Sequence, residues 1–223
     1  PKNLEVKNFV NGQWVESKDV QDVISPYTGK SCGKVHYANK ETISEAIEKA
    51  SVAQKAWEEM PLKARTQVLL AFRENLLKNL SEIASVVSAE SGKTLAESRA
   101  GIMKGVEVLE YSASLQNADV GGKLEVSRGV FCEYRRKALG VVASITPFNF
   151  PAMVPMWSIP TAIALGNAYI WKPSEKTPLT AKLIADAFTD AGLPAGVLTV
   201  LNGEKSVVEA IIDHPKVEAV AFV

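Results

Sequence analysis

The sequence has little of what several classes of function require. Its 223 residues include two cysteines and two histidines, and Lys plus Arg equals Asp plus Glu at 25 each. A net charge of zero leaves no excess of the basic residues that attract nucleic acids or anionic membranes, so we expect neither partner. Cys32 and Cys132 lie far apart without metal or redox spacing, which predicts reduced structural thiols and no metal site.

The N-terminus also lacks an apolar segment. Residues 1–5 do not form the hydrophobic core of a signal peptide, and we therefore expect a cytoplasmic protein. One long uncharged run does occur, from Ala138 to Trp171, and it contains four prolines. Each proline removes a backbone donor and obstructs a continuous helix, so this run does not predict a membrane span.

The uncharged run instead has the pattern of a strand, a turn, a helix and a second strand. Residues 140–145 are apolar and partly β-branched, as in a strand buried on both faces, and residues 168–171 form the next strand. Strands and helices keep alternating to the end of the sequence, with further strands at 197–201 and 217–223. This alternation predicts an α/β fold with a parallel, doubly wound sheet.

The N-terminal part is predicted to be mostly helical, with a few short strands. Asn11-Gly12 satisfies the backbone angles of a tight hairpin between residues 9 and 15. Thr42 with Glu45 has the spacing of a capping box and opens a helix. Pro61 fits the first position of the next helix, and Ser81 is predicted to cap the one after it.

The segment Ser91-Gly92-Lys93-Thr94 is similar to the end of a phosphate-binding loop. The earlier glycine of that motif is replaced by Val87, and a helix precedes the segment instead of a strand. We therefore interpret it as the end of one helix and expect Thr94 to begin the next. Gly101 and Gly105 in that next helix would allow it to pack closely against a neighbour.

A β-excursion is predicted at the middle of the chain. Apolar and polar residues alternate between Lys123 and Lys137, which would leave a partly apolar edge that needs cover. The chain is thus divided into a helical part at 1–119, the excursion at 120–137 and a βαβ part at 138–223.

Two groups of residues near the predicted strand ends suggest chemistry. Lys172 follows a strand at the edge where parallel sheets bind ligands, and Glu175 would accept hydrogen bonds from ribose hydroxyls while repelling a 2′-phosphate. This favours NAD over NADP, although the Gly-x-Gly-x-x-Gly turn is absent and a solvated loop is the alternative. Asn149, between two phenylalanines and two prolines, is a candidate oxyanion donor, or else an amide bonded to its own turn.

These residues also carry a resemblance to a known family. Pro147-Phe148-Asn149-Phe150-Pro151 followed by Lys172-Pro173-Ser174-Glu175 resembles the signature of the aldehyde dehydrogenase superfamily, and residues 150–157 are similar to its methylmalonate-semialdehyde dehydrogenase branch. The resemblance spans the sequence but only the N-terminal half of such an enzyme, so a truncated chain is implied. It implies a Rossmann-type NAD-binding domain with a β-hairpin that joins subunits into a dimer or tetramer.

The resemblance also implies roles for individual residues. Asn149 would stabilise the oxyanion formed when a cysteine attacks a semialdehyde, and Lys104 would meet the substrate carboxylate where the branch has Arg. The residues implied to bind the cofactor NAD are Thr146, Phe148, Lys172, Glu175, Lys176 and Gly203.

The resemblance places the nucleophilic cysteine beyond Val223. We therefore expect the isolated 223 residues to be inactive and to bind NAD weakly. The acyl thioester would be released as an acid or passed to coenzyme A. Two alternatives stay open at this point, a catalytically silent nucleotide-binding or assembly module and a hydrolytic aldehyde dehydrogenase for another aldehyde.

Overall fold

A six-stranded sheet forms the centre of the computed structural model, which describes residues 4–117 and 121–223. Its strands, in spatial order, are β11 (Val217–Phe222), β8 (Val141–Ile145), β9 (Ala168–Lys172), β10 (Leu198–Val200), β2 (Asn8–Val10) and β3 (Gln13–Val15). The first four are parallel, which confirms the predicted parallel sheet. The predicted hairpin at Asn11-Gly12 is confirmed too, but it joins this sheet antiparallel through Phe9 and Val200.

Two smaller sheets lie outside the central one. The first contains β1 (Leu4–Val6), β5 (Ser31–His36) and β4 (Val20–Ile24), in that order. The second is a hairpin of β6 (Gly121–Ser127) and β7 (Val130–Arg135), at the position of the predicted excursion. Its apolar side chains are mostly in solvent, with Leu124 68% and Val126 58% exposed. The predicted boundary between residues 119 and 120 lies outside the described residues.

Eight α-helices and a short 3-10 helix at Leu115–Asn117 occupy the described ranges, 4–117 and 121–223. The α-helices are α1 (Lys40–Glu59), α2 (Leu62–Lys78), α3 (Leu80–Ser91), α4 (Leu95–Ser114), α5 (Met153–Met156), α6 (Ile159–Ala164), α7 (Pro178–Asp190) and α8 (Lys205–Ile212). None of the helices in these ranges is long and apolar enough to cross a membrane.

Several helix starts differ from the sequence prediction. Asn39 caps α1, because its side-chain oxygen accepts the Thr42 backbone N–H at 2.8 Å, so the predicted Thr42 cap was wrong. Pro61 occupies the cap position before α2, and Asn79 takes the place predicted for Ser81 before α3. Thr94 does begin α4, in a capping box with Glu97.

The central sheet is covered by helices on both faces. Because side chains alternate along a strand, Tyr169 and Trp171 of β9 enter one core and Ile170 enters the other. Helices α2, α4, α6 and α7 contribute to the first core, and α1 and α8 contribute to the second. At the first core α4 and α5 approach closely, since a Cβ at Gly105 would lie 2.9 Å from Met156 Cγ.

A buried arginine holds the ends of two helices on this core. The Arg65 Nε donates to the Ala164 carbonyl at 2.8 Å, and Nη1 donates to the carbonyls of Glu58, at 2.9 Å, and Met60. These carbonyls lie at the C-terminal ends of α6 and α1. No further N–H group of either helix is available to donate to them. One guanidinium therefore caps two helix C-termini, where a cation is also favoured by the helix dipole.

Candidate functional site

The carboxyl ends of β8 and β9 lie side by side and begin the candidate site. The Thr146 N–H donates to the Lys172 carbonyl at 3.1 Å, which extends the parallel pairing one step beyond β8. The buried Trp171 indole donates to the Thr146 hydroxyl oxygen at 2.9 Å. Thr146 is therefore fixed by two contacts, and its hydroxyl hydrogen stays directed away from Trp171.

Lys172 and Glu175, predicted to act together, do lie together. The Lys172 Nζ is 3.2 Å from the Glu175 Oε2, and the lysine side chain is buried while the carboxylate is one third exposed. Burying a charge is costly unless it is paired, and Glu175 supplies the partner. The pair presents one cation and one carboxylate at the edge of the sheet.

The loop that contains Asn149 lies just after the end of β8. Asn149 is exposed, and no other side chain or backbone group of residues 4–117 and 121–223 is hydrogen-bonded to its amide. Phe148 is half exposed, with the Lys176 ammonium 4.6 Å from its ring centroid. This contact connects the loop with the turn that carries Glu175.

A cleft of about 540 Å³ opens beside these residues and is lined in part by Phe148, Glu175 and Lys176. It is also lined by Tyr37, at the end of β5, which the sequence did not single out. Burial, together with the nearby carboxylates of Glu204 and Glu175, raises the pKa of Tyr37 to about 12. Its phenol therefore remains a neutral hydrogen-bond donor. The sequence held no signal for Tyr37, because it comes from a different sheet.

Gly203 has a backbone that requires glycine. Its φ angle is 147°, and a Cβ at this buried position would overlap the Val207 side chain. The residue precedes α8, so the chain passes closely against the first turn of that helix. The sequence predicted a simple turn at Asn202-Gly203. The structure shows that Gly203 is required there for two reasons, its positive φ angle and the lack of space for a Cβ.

Glu90 is a buried carboxyl group that lines the same cleft and was not predicted. It accepts hydrogen bonds from the backbone N–H groups of Leu179, at 2.8 Å, and Thr180, at 2.9 Å, and from the Thr180 hydroxyl. These groups form the first turn of α7, so a residue of α3 caps a distant helix. Burial raises the pKa of Glu90 to about 8, although the three donors act in the opposite direction. No sequence spacing links the two positions.

The remaining candidates are not part of this cluster. Lys104 is 66% exposed and pairs with Glu107 at 2.8 Å, so a substrate carboxylate would compete with Glu107. Cys32 lies half-buried in β5, and burial raises the pKa of its thiol. Cys132 is exposed in the hairpin strand β7. The surroundings of Cys32 therefore do not promote a thiolate.

Comparison with known proteins identifies the family. Residues 14–223 match the model of the aldehyde dehydrogenase family. A malonate-semialdehyde dehydrogenase from Bacillus mycoides is 40% identical over 226 aligned residues, which include all of this chain and 47% of that protein.

Solved structures agree with this match. A protein from Sinorhizobium meliloti, described as a methylmalonate-semialdehyde dehydrogenase and complexed with NAD, superposes with a TM-score of 0.95 at 37% identity, over 99% of this chain and 45% of that one. The methylmalonate-semialdehyde dehydrogenase of Oceanimonas doudoroffii gives 0.94 at 35% identity, over 97% and 45%. The chain spans about half the length of the curated relatives it matches. It belongs to the aldehyde dehydrogenase family.

Proposed function

We propose that this chain supplies the NAD site and the oxyanion donor of an aldehyde dehydrogenase that oxidises malonate or methylmalonate semialdehyde. The observation that carries the proposal is the Lys172–Glu175 pair at the end of β9, together with the exposed Asn149 amide in the loop that follows β8. The names of the similar proteins support the substrate class.

The residues at the strand ends fit a dinucleotide. Glu175 would accept hydrogen bonds from ribose hydroxyls, and Lys172 would donate to the same sugar. Gly203 would offer only its backbone, because Val207 fills the space that a Cβ would take. The cleft beside Phe148 and Lys176 provides the space. When bound, NAD supplies the acceptor for the hydride.

Asn149 would act on the aldehyde oxygen. When a cysteine thiolate adds to the aldehyde carbon, that oxygen gains negative charge, and a side-chain N–H aimed at it lowers the energy of the transition state. The exposed amide is available for this role. We infer that neither Cys32 nor Cys132 is the nucleophile, because neither thiol belongs to the cluster around Asn149.

Finer features complete the proposal. Lys104 would exchange Glu107 for the substrate carboxylate, and coenzyme A or water would take the acyl group. The exposed β6–β7 hairpin supports a dimer or tetramer, since its apolar surface needs cover. Two free cysteines support a cytoplasmic location.

The test is Asn149→Ala in the natural protein, assayed for NADH formation with malonate semialdehyde. Loss of one oxyanion donor lowers kcat by about 10²–10³. Calorimetry serves as the control, because the dissociation constant of NAD should not change. An unchanged kcat would remove Asn149 from the chemistry, and an inactive wild-type protein would contradict the proposed function.

A further inference from the structure

Lys93 is held between two helices by contacts on both sides. Gly92 ends α3 in the left-handed conformation, with φ at 76°, and the Ser88 hydroxyl donates to the Lys93 carbonyl at 2.6 Å. Thr94, the next residue, caps α4. The segment that is similar to a phosphate-binding loop is therefore a rigid helix–helix junction, from which the Lys93 side chain extends.

The Lys93 ammonium lies over the ring of Phe150, 3.7 Å from its centroid. Phe150 directly follows Asn149 and is 37% exposed. On the other side of Asn149, the Lys176 ammonium covers Phe148. Both aromatic neighbours of Asn149 thus have a cation on one face, an attractive arrangement because the ring face is electronegative.

Asn149 depends on its neighbours for its position. Its amide has no partner in the described ranges, and its loop is tied down on the C-terminal side by the Phe150 carbonyl, which accepts the Val154 N–H at 3.1 Å. An oxyanion donor is effective only when it is held in place before the reaction. Lys93 therefore contacts the ring of the residue that directly follows Asn149.

We propose that Lys93 is a positioning residue for Asn149 and acts through the Phe150 ring. This inference rests on the proposed role of Asn149. The proposal requires no contact between Lys93 and the aldehyde or the cofactor. Its contribution is the attraction between the ammonium and the ring, which limits the orientations of the loop.

The kinetic test compares Lys93→Met with Lys93→Arg in the natural protein. Met keeps an apolar stem but removes the cation, so kcat for aldehyde oxidation should fall about two- to five-fold while KM for NAD stays constant. Arg stacks on aromatic rings and should restore kcat. The matched control is Lys182→Met, which removes an ammonium 5.1 Å from the Trp14 ring and should leave kcat unchanged.

A second measurement separates this inference from the proposed function. In nuclear magnetic resonance spectra of the natural protein, Lys93→Met should shift the side-chain amide signals of Asn149, and Lys182→Met should not. An inactive wild-type protein would overturn the proposed function but leave this test intact. If Lys93→Met matches Lys182→Met in both the amide signals and kcat, Lys93 has no positioning role.

Discussion

Two pairs of strands that are close together in the sequence have opposite surroundings. Every residue of β8 and β9 is buried, whereas the apolar side chains of β6 and β7 are more than half exposed. Both pairs contain β-branched and aromatic residues. The difference is that helices cover both faces of β8–β9, while neither face of β6–β7 is covered within the described chain.

This comparison shows that similar β-forming residues have different roles in the two regions. In β8–β9 the apolar residues stabilise the fold and hold the strand ends that carry Thr146 and Lys172. In the hairpin they contribute little to the stability of the folded chain, because most of their surface is exposed. The same residue types thus stabilise the fold in one region and form an exposed apolar surface in the other.

The largest effect should come from truncating a buried strand residue. Ile170→Ala removes a fully buried side chain of β9 and should lower the free energy of unfolding by about 2–5 kcal/mol. Val126→Ala, at an exposed hairpin position, should change it by less than about 0.5 kcal/mol. Urea titrations of both variants measure this, and similar losses would abolish the distinction between the two regions.

A somewhat smaller loss in the free energy of unfolding is expected when the buried Arg65 is replaced. Arg65→Met keeps an apolar stem but leaves the carbonyls of Ala164, Glu58 and Met60 without their donor, at a cost of about 2–4 kcal/mol. Thermal unfolding reports the change. Arg73→Met is the control, because Arg73 pairs with Glu74 and Glu110 at the surface. An equal loss in both variants would show that the capping of α1 and α6 is unimportant.

The last prediction concerns pH, where the effect within a single pH unit is the smallest of the three. Because burial raises the pKa of Glu90 to about 8, the folded protein keeps a proton that the unfolded chain releases near pH 4.5. The free energy of unfolding should therefore fall between about pH 4.5 and 8, by at most about 1.4 kcal/mol per pH unit. Glu90→Gln, which does not titrate, should lack this slope. Parallel pH profiles of the two proteins would mean that the carboxyl is ionised throughout.

The sequence predicted most elements but misplaced several of their ends. Strands and helices alternate where the apolar pattern indicated, and Lys172 follows a strand as expected. The predicted start of α1 was wrong because Asn39 and Thr42 are both good capping residues, and spacing alone does not decide between them. Asn149, Lys104 and the cofactor residues remain predictions whose test is kinetic.

What the sequence by itself determined were the local features: the periodicity of strands and helices, the turn at Asn11-Gly12, and the loop between Pro147 and Pro151. These follow from the backbone preferences of neighbouring residues. The tertiary structure alone decided that Glu90 caps α7, that β2 pairs with β10 and that Lys93 covers Phe150. Each of these contacts joins residues more than fifty positions apart, and they meet only because burial of the two cores brings their elements together.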